Sequence, residues 1–200
     1  MQRSQPHICV FASSSARLAQ KYYQVAEELG NMLACANCTL VFGGGRKGLM
    51  GACADGVIAQ GGQVVGVIPA LLNQPGIPHP GIGELIETPT MHVRKDTMEQ
   101  MADAFISLPG GFGTLEELLE VITLKQLKYH KKPIVILDVD GFYAPLLEQF
   151  ELGFVEGFAS TKARALYRVA SSPAQAVEFA LEEEKAYTLP DKMEDSRERP

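Results

Sequence analysis

Short runs of wholly apolar residues alternate along this chain with longer amphipathic or small-residue stretches. Ile8 to Ala12, Thr39 to Phe42, Gln63 to Ile68, Ala104 to Leu108 and Pro133 to Val139 have strand length. Ala16 to Ala34, Gly48 to Gln60 and Leu115 to Lys128 have helix length. Glu84 to Glu87 and Tyr167 to Ala170 predict two shorter strands, while Arg94 to Met101 and Phe142 to Glu156 predict further helices. Pro173 to Glu184 predicts a closing helix with Pro in its first turn. Runs such as ICVFA, FISL and IVIL are apolar at every position rather than at alternate ones. That predicts burial on both faces, as in a parallel sheet. Strand–helix alternation then predicts an α/β fold, a doubly wound, mainly parallel sheet with helices on both faces. A loop rich in Pro and Gly fills Pro69 to Gly83.

The 200 residues predict a single domain over 1–185, followed by a polar tail over 186–200. Apolar residues are 46% and charged residues 21% of the chain, a balance that supports a packed core and excludes wholesale disorder. No run reaches 18 uninterrupted apolar residues, so no membrane partner is expected. The apolar run near the N-terminus is too short for a secretory signal, which makes the cytoplasm the expected location. Net charge is −6, and the seven acids and four bases from Glu182 to Pro200 supply half of it. No basic face remains for nucleic acid. Cys35 and Cys38 form a CxxC, but there is no second pair for a zinc ribbon, and the motif follows a helix rather than opening one. Reduced thiols near a helix end are the expectation, and no metal site.

In a doubly wound sheet, ligands bind beyond the C-terminal ends of the strands. Three loops there are unusually small or Gly-rich: Ser13-Ser14-Ser15, Gly43-Gly44-Gly45-Arg46-Lys47-Gly48, and Pro109-Gly110-Gly111-Phe112-Gly113-Thr114. Each leads into a helix, whose N-terminus offers free N–H groups and the positive end of a dipole. Three such loops in one chain point to a phosphate-bearing ligand. Gly43-x-Gly45-x-x-Gly48 also fits a dinucleotide fingerprint, but no Asp or Glu lies between Gly56 and Gly83 to hold a ribose. A dehydrogenase is therefore disfavoured. No Gly-Lys-Ser/Thr follows the glycines, so there is no P-loop.

Two charged segments flank the third loop: Met91-His92-Val93-Arg94-Lys95 and Gly113-Thr114-Leu115-Glu116-Glu117. Thr114-x-x-Glu117 has the spacing of a helix capping box, a purely structural role. Arg94-Lys95 fits a solvated helix face, and His92 a capping or packing residue ahead of a helix. Glu84 and Glu87 fit the surface.

PGGFGTLEE at Pro109 to Glu117, MHVRK at Met91 to Lys95, and GGGRKGLMGACADGVIAQGGQVVGVIP at Gly43 to Pro69 together resemble the LOG ("Lonely Guy") family. These are cytokinin-activating phosphoribohydrolases, often labelled lysine decarboxylases. The similarity runs over about residues 7 to 182, with all blocks in family order. The resemblance implies a Rossmann-like fold, usually a homodimer, that splits a nucleoside 5′-monophosphate into free base and ribose 5-phosphate without a cofactor. By motif position it places the catalytic pair on Arg94 and Glu117. It places substrate contacts on Gly44, Gly45, Met91, Lys95, Gly110, Gly111, Phe112, Gly113, Thr114 and Thr123. Phe11-Ala12 stand where many relatives have Cys-Gly, and Leu124 where many have Trp, which leaves the preferred base open.

The residue types suit the chemistry. Departure of a purine from C1′ builds oxocarbenium-like charge, which a carboxylate stabilises unless it deprotonates the attacking water. An arginine can hold phosphate or ribose, or steady the departing base. A decarboxylase would need a Schiff-base lysine with a phosphate cup, for which the sequence has no support. The alternative is a carrier that holds a nucleotide-like cofactor without chemistry, which could lose Glu117 freely.

Overall fold

A computed structural model describes residues 5–182. The polar segment 186–200, and the last residues of the closing helix as the sequence predicts it, lie outside the described residues. Seven strands form one sheet in the order β4-β3-β2-β1-β5-β6-β7, and every pairing is parallel. The strands are β1 (His7–Phe11), β2 (Thr39–Phe42), β3 (Gln63–Pro69), β4 (Glu84–Thr88), β5 (Ala104–Ser107), β6 (Ile134–Leu137) and β7 (Arg168–Ala170). Winding runs outward from β1 to β4, then restarts on the other side of β1 with β5. The topological switch therefore lies between β1 and β5.

The five inner strands, β3, β2, β1, β5 and β6, feed two cores. Ile8, Val10, Leu40, Phe42, Ile106 and Leu137 pack against α1 (Gln20–Cys35), α2 (Gly48–Ala59) and α6 (Pro173–Leu181). Cys9, Val41, Val67, Phe105 and Ile136 face the other way, with Met98 of α3 (Met91–Met101) and Leu118 and Val121 of α4 (Phe112–Gln126). Double-sided burial is the physical reason these inner strands are apolar along most of their length. A further helix, α5 (Ala144–Val155), follows β6.

On the first face, α1 and α2 touch backbone to backbone through glycines. A Cβ on Gly30 would sit 2.0 Å from the Cys53 carbonyl oxygen, and one on Gly56 would sit 2.2 Å from that of Glu27. No side chain fits at either position.

Several boundaries depart from the sequence expectation. α1 begins at Gln20 rather than Ala16. The Ser13 hydroxyl accepts from the Ser15 N–H (3.1 Å) and that of Ser15 from the Arg17 N–H (3.4 Å), local bonds that compete with a helical turn. α3 begins at Met91, because the Thr90 hydroxyl caps it from the Val93 N–H (3.2 Å). His92 is thus inside the helix rather than ahead of it. Short 3-10 turns at Ala70–Leu72 and Thr161–Leu166 were not predicted. Cys35 is exposed and Cys38 buried, and both are free thiols. Among the described residues no helix is long and apolar enough to cross a membrane.

Candidate active site

α4 begins at Phe112, three residues ahead of the predicted start. Its N-cap is Gly111, and no side chain caps it. This overturns the capping box. Thr114 sits inside the first turn and Glu117 a full turn beyond it, with its carboxylate directed at α3. The leading N–H groups of α4 are left without a side-chain acceptor. The N-terminus of α2 differs: its Leu49 and Met50 N–H groups donate to the Ser13 carbonyl, at 2.8 and 3.3 Å. Of these two glycine-rich starts, the one at α4 is open to an anion, and the one at α2 is already engaged.

A cavity of about 580 Å³ opens over the C-terminal edge of the sheet, a volume typical of small-molecule sites. Ser13 to Ser15 line it beyond β1, Gly43 and Gly45 beyond β2, and Gly111 to Thr114 beyond β5. Met91, Arg94 and Lys95 enter from α3, and Glu116 and Glu117 from α4.

Arg94 is buried and held at two ends. Its Nε donates to the Val67 carbonyl (3.0 Å), and its Nη1 donates to Glu117 Oε1 (3.1 Å). The wall behind it is Gly43, where a Cβ would come within 2.0 Å of Nη2. Burial pushes the Glu117 carboxyl above its usual range, and the Arg94 guanidinium offsets only part of that rise. A buried carboxylate with a raised pKa and a fixed cationic partner, in a cavity, is the pattern expected of an acid–base or charge-stabilising group. Lys95 is also buried. It is ion-paired to Glu116 and, at 2.7 Å, to Glu120. Burial pulls its pKa down, but the two carboxylates outweigh burial and hold it above the ordinary value.

The cavity thus gathers Arg94, Glu117, Met91, Lys95, Gly111, Phe112, Gly113, Thr114 and Gly45. Three expected contacts stand apart from it. Gly44 turns its carbonyl to the His79 N–H (2.8 Å). Gly110 lines a smaller neighbouring cavity of about 270 Å³. Thr123 lies nine residues beyond Thr114, roughly 14 Å along α4. It is exposed there, with its hydroxyl donating to the Leu119 carbonyl (2.7 Å). Sequence reasoning missed the Glu116 and Glu120 partners of Lys95, and the apolar lining from Met50, Ile68, Leu72 and Ile77. Glu116 and Glu120 do show an i, i+4 spacing that puts both on one helix face.

A parallel sheet with an uncapped helix N-terminus and a buried arginine–carboxylate pair at its switch region defines a nucleotide-type site in an α/β protein. Residues 50–179 match the family model described as possible lysine decarboxylase. The chain is 47% identical over 166 residues to the Arabidopsis thaliana cytokinin riboside 5′-monophosphate phosphoribohydrolase LOG2, covering 83% of this chain and 77% of that one. To the Oryza sativa subsp. japonica enzyme LOG it is 44% identical over 176 residues, 88% and 72% of the two chains. The molybdenum cofactor binding protein from the bacterium Rippkaea orientalis shares the fold, with a TM-score of 0.68 at 21% identity over 88% of this chain and 96% of that one. The chain belongs to the LOG family, which the family model carries under its decarboxylase label.

Proposed function

We propose that this protein hydrolyses the N-glycosidic bond of a cytokinin riboside 5′-monophosphate, AMP, or both, releasing the free base and ribose 5-phosphate. The observation that carries the reading is the buried Arg94–Glu117 pair, 3.1 Å apart, beside the uncapped start of α4. The 5′-phosphate accepts from the N–H groups of the Gly111–Thr114 turn, and this remote grip positions C1′. The C1′–N bond breaks with its electron pair going to the base. Water adds its hydroxyl to C1′, and its proton compensates the charge left on the base. Glu117 stabilises the cationic sugar or takes the proton of the attacking water. Arg94 holds that carboxylate in place. Its attachment to Val67 on β3 makes the sheet, not a loop, the reference for the geometry.

The working unit in this reading is a homodimer. Leu119 on α4, and Leu127 and Tyr129 just beyond its end, are exposed to 41%, 44% and 77%, and a second copy would cover that face.

The test is incubation with a panel of nucleoside 5′-monophosphates and their nucleosides, resolving free base from nucleotide. Release of adenine or an N6-substituted adenine from the monophosphate is expected, with far slower release from the nucleoside. Equal turnover of AMP and adenosine would overturn the phosphate assignment. Tight binding of the nucleotides without any base release would instead favour a carrier.

A further inference from the structure

His79 is a buried histidine outside the catalytic pair, in the long loop between β3 and β4. Its Nδ1 accepts from the Gly81 N–H (3.1 Å), so in the neutral ring the proton sits on Nε2, which donates to Asp55 Oδ1 on α2 (3.0 Å). The same segment is stitched to the glycine turn beyond β2. The His79 N–H donates to the Gly44 carbonyl (2.8 Å), the Arg46 N–H donates to the Ile77 carbonyl (3.0 Å), and Gly45 pairs with Pro78 as an isolated bridge. The side chains this places over the cavity are apolar: Ile77, with Leu72 beside it.

Position along the sheet says what they meet. The open N–H groups of α4 lie beyond β5, and the Leu72–Ile77 wall lies beyond β3. Three strand spacings separate them, roughly 14 Å. Arg94 and Glu117 bridge α4 to β3 between those two ends. A nucleotide laid along the strand ends with its phosphate on α4 and C1′ at the pair has its base edge toward Leu72 and Ile77.

We propose that the His79–Asp55 pair is a latch that sets this apolar wall, and that the wall selects adenine nucleotides bearing an apolar N6 substituent over AMP. The inference rests on the hydrolase reading above. His79 acts as a positioning residue, since it lines no part of the cavity. Ile77 and Leu72 are the specificity contacts. Removing apolar contact at a pocket wall is worth about tenfold or more in discrimination.

The experiment measures kcat and KM for N6-isopentenyl-AMP and for AMP in the wild type, His79→Ala, Asp55→Ala and Ile77→Ala, with a melting temperature for each. The ratio of kcat/KM, N6-isopentenyl-AMP over AMP, is expected to fall about tenfold in His79→Ala and in Ile77→Ala, and about threefold in Asp55→Ala. In His79→Ala the loss should lie in KM for the N6-substituted nucleotide. Should His79→Ala fold poorly, Asp55→Ala and Ile77→Ala report the same ratio from partly exposed positions. An unchanged ratio in Ile77→Ala, or equal loss on both substrates in His79→Ala, would overturn the latch while leaving hydrolysis intact. A wild type that releases no base from either nucleotide would overturn hydrolysis, and the inference with it.

Discussion

Replacing Glu117 by Gln removes one negative charge and almost no volume. The loss in the transition state follows from Coulomb's law: a cationic C1′ about 4 Å from the carboxylate gains about 4 kcal/mol at an effective dielectric near 20. The Gln carbonyl dipole recovers part of that, leaving roughly 3 kcal/mol and a rate loss of about 10²-fold. Stability should respond differently. Arg94 keeps its bond to Val67 and gains a neutral acceptor in place of an ionised one, a cost of about 1–2 kcal/mol. Burial already disfavours the ionised carboxyl of Glu117, which offsets some of that cost. The melting temperature should therefore drop by only about 2–6 °C. Glu117→Ala should lose as much rate and more stability, because Arg94 then faces a void. The assay is kcat and melting temperature on the same preparations of wild type, Gln and Ala variants. If Gln retains kcat within about threefold of wild type while Ala is unstable, Glu117 serves the architecture and the catalytic role is wrong.

Four further outcomes are expected. Because burial raises the Glu117 pKa, the anion is lost as pH falls through a value above the ordinary 4.5; the acid limb of kcat/KM should lie above 4.5 in wild type and vanish in Glu117→Gln, as a pH–rate series would show. Glu99 is raised from 4.5 to about 7, chiefly by burial and then by Glu120, so its contribution to stability is best below 4.5 and is lost as pH rises toward 7. After discounting for its partial exposure, Glu99→Gln should gain about 1 kcal/mol, or 2–4 °C in melting temperature, at pH 8 and nothing at pH 4.5. Gly43→Ala drives a methyl to within 2.0 Å of Arg94 Nη2, and displacing that guanidinium should cost roughly 10²-fold in kcat with the fold retained by circular dichroism. Sedimentation at micromolar concentration should show a dimer, and Leu119→Glu should shift it to monomer.

The inner strands were legible because each is buried on both faces, which leaves runs such as ICVF and IVIL apolar throughout, whereas the edge strands β4 and β7 keep exposed charged residues and show a weaker pattern. The start of α4 was not. Gly111 and Gly113 are poor helix formers, so apolar periodicity sets in only at Leu115, although the helix has begun at Phe112. The same offset lent Thr114-x-x-Glu117 the spacing of a cap it does not form. For α1, the serine side chains hold the chain in a turn that composition alone does not reveal. Motif blocks marked Arg94 and Glu117 separately, but their contact joins positions 23 apart across two helices, and no local pattern encodes it. His79 and Asp55 were invisible for the same reason. Their link runs from a loop judged only by its prolines and glycines to the flank of α2.

The glycine contact between α1 and α2 has a consequence for how the protein tolerates change. α1 follows the Ser13–Ser15 turn and α2 follows the Gly43–Gly48 turn, so the spacing of the two helices is also the spacing of two walls of the cavity. A methyl at Gly30 or Gly56 has no way to fit except by spreading the helices, and the spread is delivered at the ligand, since both helices start there. In a library of all single substitutions scored for turnover, these two positions should rank with the residues that touch substrate, although neither lines the cavity. Ranking positions by distance from the chemistry would pass them over. Inheritance of this activity is thus constrained at a helix contact on the opposite side of the sheet from α4, where a mutational screen guided by the active site alone would never look.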